Sequence, residues 1–340
     1  MIEEKNIEKI KNNTLIIDAH FDLLMDVSIQ RESGRKKVIE TDYFHRFVHG
    51  GVNIIFASIF IDNGFLPEMG LRKALNQVSA LHEEVMGSPD KLMICRNSKD
   101  MLLAQKTGKI GFLLSLEGAE PIGTDLSLLR VFYELGVRNL GLVWSRRNAV
   151  GEGSHFSPIR EGRKGGITGF GLQVIEEADR LGMMIDVSHL NDEGFLDVIE
   201  HSKKTIIASH SNSRVLSKTM RNLTDQQIES IAKKGGVIGI NAVSIFVAKE
   251  DENSHLEQYI NHIDHIVNLV GINHVGIGLD LCDDFFKYVS AKDLASMPRK
   301  PFDVIDGHQN FSNLIGGLIN RGYSDKEIEK IVGGNFLRLY

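Results

Sequence analysis

Five short apolar runs in this sequence end on side chains that can hold a cation or move a proton. They close as Asp18-Ala-His20-Phe-Asp22, Leu116-Glu117-Gly118, Asp186-Val-Ser-His189, Ala208-Ser-His210 and Gly278-Leu-Asp280. Imidazoles and carboxylates together suit a divalent ion such as zinc, and a shared carboxylate would allow two ions. Residues i and i+2 of a strand point to one side, so His20 and Asp22 could reach the same ion. A metal pair lowers the pKa of a bridging water and polarises a carbonyl at the same time. Singly these signals are weak. His-x-Asp is a short pattern, a Glu before Gly often only marks a loop, and Asp280 could cap a helix. Glu120 is a nearby rival to Glu117, but its place after Gly118 reads as loop. Of the 13 histidines, His45, His49, His82, His201, His255 and His308 have no strand-end context, and His262 and His265 read as a packed or solvated helix face.

What gives the five weight is the frame that positions them. Near-continuous apolar runs occupy Leu15–Ala19, Val52–Phe60, Ile110–Leu116, Asn139–Val143, Met183–Val187, Thr205–Ala208, Val237–Asn241 and His274–Leu279, eight in all. Such runs fit parallel strands covered on both faces. Helical signals lie between them. Thr224–Gln227 and Ser324–Glu327 read as capping boxes, Thr124 as a cap for Leu126–Leu135 before Gly136, and Leu172 to Leu181 as an amphipathic stripe ending at Gly182. Strands alternating with helices predict an α/β fold, a single (β/α)8 TIM-type barrel over residues 1–340, with a doubly wound open sheet as the rival. On a barrel all strand ends share one rim, so ligands distant in sequence converge there. The stretches Asp62–Gly87 and Arg146–Gly169 read as long loops over that rim.

Composition narrows the class. With 340 residues, 42% hydrophobic and 25% charged, the chain can bury a core and is not disordered. A net charge of -6 offers no overall basic field for nucleic acid. Two cysteines, Cys95 and Cys282, suggest a reducing compartment. Met1–Asn13 does not read as a signal peptide, no run approaches membrane-spanning length, and Asn335–Tyr340 is no anchor tail. The expectation is a cytoplasmic protein with no membrane partner; a homodimer is compatible with it.

These residues resemble the membrane (renal) dipeptidase family of zinc metallopeptidases over nearly the whole chain, as a bacterial cytoplasmic-type member. The most specific stretches are Gly169-Phe-Gly-Leu with Leu181-Gly-Met-Met-Ile-Asp-Val-Ser-His189-Leu; Ala208-Ser-His210-Ser-Asn, Arg221-Asn222, Gly276-Ile-Gly-Leu-Asp280 and Gly334-Asn-Phe-Leu-Arg338 follow. The resemblance implies two Zn2+ ions: one on His20 and Asp22, one on His189 and His210, with Glu117 and a water or hydroxide between them. It also implies that Arg221 holds the C-terminal carboxylate of a small dipeptide and that Asp280 shuttles the proton. A guanidinium suits that role because it grips a carboxylate through two parallel hydrogen bonds. The expected reaction is dipeptide hydrolysis by the bridging hydroxide, with L-Xaa-D-Xaa substrates included.

Two positions depart from the family. Trp144, the only tryptophan, stands where mammalian members carry a histidine; it is either packing or pocket wall, and Asn148 or Arg147 could replace the lost donor. Cys282 replaces a second family aspartate. Two other readings stay open: another binuclear amidohydrolase of lactonase or deaminase type, and a catalytically inactive metal-binding barrel. The first more often carries His-x-His and a carbamylated lysine; retention of all the ligand candidates and Asp280 argues against the second.

Overall fold

The computed structural model describes residues 2–154, 165–288 and 299–340. All eight expected runs become strands, and a ninth joins them: β1 Ile17–Phe21, β2 Ile54–Ile59, β3 Leu92–Ile94, β4 Ile110–Glu117, β5 Val137–Gly141, β6 Met184–Asp186, β7 Ile206–Ile207, β8 Ile238–Ile240 and β9 Val275–Ile277. Every pairing between them is parallel, in the order β1-β2-β4-β5-β6-β7, with β8 paired to β9. The β2–β4 ladder is regular, from Ile54 opposite Gly111 to Ile59 opposite Leu116. β1, β2 and β4 are buried at every position, which is why they read as near-continuous apolar runs broken only by single polar residues.

Two junctions curl this sheet into a barrel. Between β7 and β8 a parallel bridge joins Ala208 to Ile238. Between β9 and β1 the Asp18 carboxylate accepts a hydrogen bond from the Leu279 backbone N–H at 2.8 Å, while Asp280 N–H donates to His20 O at 3.1 Å. The ring is tight at β7. A Cβ on Gly278 would lie 1.8 Å from Ser209 O, and one on Gly239 1.9 Å from the same oxygen. Only glycine lets these backbones approach so closely.

The local signals behave as their chemistry requires, with corrections. Both capping boxes form, ahead of helices Asp225–Lys233 and Asp325–Glu329. Gly136 and Gly182 end their helices in the left-handed region. Thr124 is not the cap of helix Ser127–Leu135; the Asp125 carboxylate accepts from the Ser127 N–H instead. Asp62–Gly87 is not a long loop, because helix Gly70–Gly87 fills most of it. Much of Arg146–Gly169 lies outside the described residues. β3 gives no comparable signal, because only Leu92 of its three residues is buried. It lies off the ring path, paired to the start of β4.

Candidate metal centre and active site

The strand ends bring six side chains together. His20 lies in β1, Glu117 is the last residue of β4, and Asp22, His189, His210 and Asp280 follow the ends of β1, β6, β7 and β9. Glu117 Oε1 is the common point: 3.0 Å from His189 Nε2, 3.6 Å from His20 Nε2 and 3.7 Å from His210 Nε2. His20 Nε2 is also 3.7 Å from Asp22 Oδ1 and 3.7 Å from Asp280 Oδ1. The Nε2 atoms of His189 and His210 are 2.9 Å apart, and the His20 ring stacks on His210 at 3.6 Å. Two triads have ligand atoms close enough to share an ion, His20–Glu117–His210 and His20–Asp22–Asp280. His20 belongs to both, so this grouping cuts across the split that the resemblance implies.

The donor set fits a cation. His20 Nε2 and Asp22 Oδ1 are buried and face the cluster with no hydrogen-bond partner. Buried polar atoms are rarely left unpaired, and a cation would satisfy both. The charges point the same way. Burial and the neighbouring Glu117 push the Asp22 carboxyl well above its usual range. Burial also opposes ionisation of Glu117, but the His20 charge and a hydrogen bond with His189 outweigh it and hold Glu117 well below. Burial disfavours a charged His20, yet the surrounding carboxylates raise it to about 10. Burial, reinforced by the Arg221 charge, drops His189 to about 3; burial and the His20 charge push His210 well down. Three crowded carboxylates thus face two imidazoles kept neutral, the protonation state a ligand histidine needs.

An outer layer fixes these side chains. Ser145 Oγ bonds His189 Nδ1 at 2.8 Å, and Ser209 Oγ bonds His210 Nδ1 at 2.6 Å. Ser209 Oγ also donates to Asp186, and Ser58 Oγ donates to Glu117 Oε2 at 3.1 Å. Asn241 Nδ2 donates to Asp280 Oδ2 at 2.6 Å. Such partners orient the ring and set the tautomer of a ligand histidine. His189 and Asp280 hold φ of 71° and 56°, a region non-glycine residues seldom enter. Left-handed backbone at two of the six cluster positions is strain concentrated where geometry matters most.

Arg221 is 3% exposed and donates to Ser211 Oγ and His210 O, each at 2.7 Å, while its buried Nε has no partner. Trp144 is half-buried, with its ring 5.9 Å from that of His189. Asn148 serves its own loop: Nδ2 donates to Leu142 O, and Oδ1 accepts from Val150 and Gly151. Arg147 pairs with Glu152. Asn148 is thus tied to its own loop by three hydrogen bonds.

Several contributors were not foreseen. Asn241 ends a run, but its amide is not a ligand type that the run-end pattern selects. Ser58, Ser145 and Ser209 carry no signal beyond proximity. His308 has no strand-end context in the sequence, yet its Nε2 bonds Asp18 Oδ2 at 2.7 Å across 290 positions and so backs the residue that closes the ring.

A closed parallel barrel with histidines and carboxylates on its C-terminal rim defines the class of metal-dependent hydrolases built this way. The comparisons with known proteins specify it. The chain belongs to the membrane dipeptidase family, peptidase family M19, whose family model matches residues 4–340; it is a metallopeptidase of that family. A Klebsiella pneumoniae protein described as an uncharacterized protein in the pqqA 5' region is 30% identical over 267 residues, 77% of this chain and 93% of that protein. Dipeptidase tcpJ of Claviceps purpurea is 25% identical over 333 residues, 95% of this chain and 73% of that protein. Among solved structures, the metallopeptidase dipeptidase AC superposes with TM-score 0.83 at 26% identity, covering 96% of this chain and 97% of its own. A Rhodobacter sphaeroides metallopeptidase bound to a phosphinate mimic of L-Ala-D-Ala superposes with TM-score 0.82 at 26% identity, covering 96% and 99%. Among the described residues no helix is long and apolar enough to cross a membrane.

Proposed function

We propose that the chain is a zinc-dependent dipeptidase that cleaves the peptide bond of dipeptides, L-Xaa-D-Xaa among them, at this rim. Two zinc ions, held by His20 and Asp22 and by His189 and His210 with Glu117 between, would lower the pKa of a water and polarise the scissile carbonyl. The protein's own groups do the rest. Arg221 offers unused donors from a buried guanidinium and receives the substrate's C-terminal carboxylate. Burial pushes the Asp280 carboxyl up to about 6, with His20 opposing and Glu117 adding, and Asn241 holds its second oxygen. A carboxyl near neutrality takes a proton from the nucleophile and returns it to the leaving amine. With the carboxylate at Arg221 and the free amine near the cluster or an acidic group, both ends are held, and a third residue finds no room.

The observation that carries this reading is the convergence on Glu117 Oε1 with two orphaned ligand atoms beside it. The whole chain, 1–340, is read as one barrel domain. The cytoplasm is its proposed location, on the low cysteine content of the sequence. The test is a dipeptide library, with D-residues at the second position, on zinc-reconstituted protein. Hydrolysis that follows zinc content, and loss of both zinc stoichiometry and turnover in His210→Ala, are expected. Cleavage of some other amide or a lactone with no dipeptide turned over would refute the reading.

A further inference from the structure

From the arrangement of aromatic side chains across the rim, we infer that Phe60, Trp144 and Phe285 form the subsite for the substrate's N-terminal side chain and select dipeptides whose first residue is large and apolar. The inference deepens the dipeptidase reading and rests on it.

Ring order supplies the direction. The barrel runs β1-β2-β4-β5-β6-β7-β8-β9, so β2 stands opposite β7. Arg221 lies in the segment after β7 and Phe60 directly follows β2. A dipeptide with its carboxylate at Arg221 therefore crosses the cluster towards Phe60 and lays its first residue there. The Phe60 ring is 5.2 Å from Trp144 and 5.8 Å from Phe285, and Trp144 in turn lies 5.9 Å from His189. The rings thus form a continuous apolar wall that begins at the metal cluster. Phe60 is buried, while Trp144 and Phe285 are half-buried.

The wall is set before substrate arrives. The Arg146 guanidinium sits 4.9 Å from the Trp144 ring and 5.5 Å from that of Phe60. It is tied by Nε to Glu120 Oε1 at 2.7 Å and by Nη2 to Ile61 O at 2.8 Å. The Glu120 side chain is 7% exposed. Glu120, the rival to Glu117 in the sequence, is thus a positioning residue: it neutralises Arg146 and fixes the cation against the rings. Side chains locked in this way lose little freedom on binding, so apolar contact converts into affinity.

The test compares kcat/KM for Gly-Ala, Leu-Ala and Phe-Ala on the zinc-loaded chain, with Ala-Gly, Ala-Leu and Ala-Phe as the opposite series. A large apolar first residue should raise kcat/KM by about tenfold or more over glycine, the scale of discrimination by an apolar pocket. Trp144→Ala should collapse the Phe-Ala to Gly-Ala ratio, and Trp144→Phe should restore most of it. Phe285→Ala, on a half-buried position of a short helix, gives the same readout if Trp144→Ala does not fold. Trp144 is the only tryptophan, so its emission reports occupancy of the wall without turnover. Phe-Ala should shift it saturably and Gly-Ala should not. A flat first-residue series, or a ratio unchanged in both alanine variants, overturns the subsite. If no dipeptide is cleaved, the dipeptidase reading fails separately and the emission decides: a saturable shift with Phe-Ala supports the wall, and none removes it.

Discussion

Replacing Arg221 with methionine tests the substrate's orientation directly. Two of the five guanidinium donors bond Ser211 Oγ and His210 O, and the buried Nε–H is left without a partner. Burial lowers the Arg221 pKa, and the charges of Asp280, Asp186 and Glu117 pull the other way. A buried cation of this kind gains most from an anion delivered to it. Charge-assisted hydrogen bonds contribute roughly 1.5–3 kcal/mol each, so a two-bond grip is worth about 3 kcal/mol or more. At about 1.4 kcal/mol per decade that is roughly a hundredfold in kcat/KM. Because methionine also removes the bonds to Ser211 and His210, part of any loss is structural and applies to every substrate. The informative quantity is therefore the ratio of kcat/KM for a dipeptide to that for its C-terminal amide. The ratio should be large in the unmodified protein and fall about a hundredfold in Arg221→Met. A ratio that stays constant while both rates drop would refute carboxylate capture by Arg221.

Other perturbations probe the scaffold. Ser145→Ala removes the partner of His189 Nδ1 and should weaken zinc binding roughly 10- to 100-fold, as outer-layer losses do; calorimetric titration showing unchanged affinity would deny Ser145 that role. Burial raises the Asp303 carboxyl to about 7 despite hydrogen bonds from Cys282, so the folded state keeps its proton where the unfolded chain has lost it. Stability from this group is present at low pH and is lost as pH rises towards 7. In Asp303→Asn, Tm should accordingly fall less between pH 5 and 7.5, and an unaltered slope would contradict this assignment. Gly278→Ala places a methyl 1.8 Å from Ser209 O and should cost about 4 kcal/mol or more, whereas Gly322→Ala, at φ +95° with nothing within 4 Å, should cost about 1–2 kcal/mol. Thermal melts that rank the two alike would show that the ring at β7 relaxes.

Much of the architecture was legible because the forces that set it are local or periodic. Parallel strands covered on both faces are mostly apolar, so β1, β2 and β4 to β9 announce themselves as near-continuous runs. Capping boxes satisfy backbone groups within four residues, so Thr224 and Ser324 could be placed from spacing alone. The outer strand β3 pairs only with the start of β4 and buries only Leu92, so it lacks the both-face burial that marks the others. Thr124 and Asp125 are equally able to accept from the first turn, and only the chain's path gives the Ser127 N–H to Asp125.

The sequence by itself determined the kind of chemistry. Ligand-type residues at the ends of five runs imply one rim, since a parallel barrel leaves them nowhere else to go. Tertiary structure alone decided what surrounds them. Asp18 meets His308 and the backbone of Leu279, Asn241 holds Asp280, and Arg146 is pinned by Glu120 against Trp144. Serine, asparagine and a lone histidine have no characteristic spacing when their partners lie tens or hundreds of positions away, because ring closure rather than local periodicity makes them neighbours. Asn148 shows the same limit from the other side: its residue type permits a substrate contact, and only the structure shows the three hydrogen bonds that tie it to its own loop.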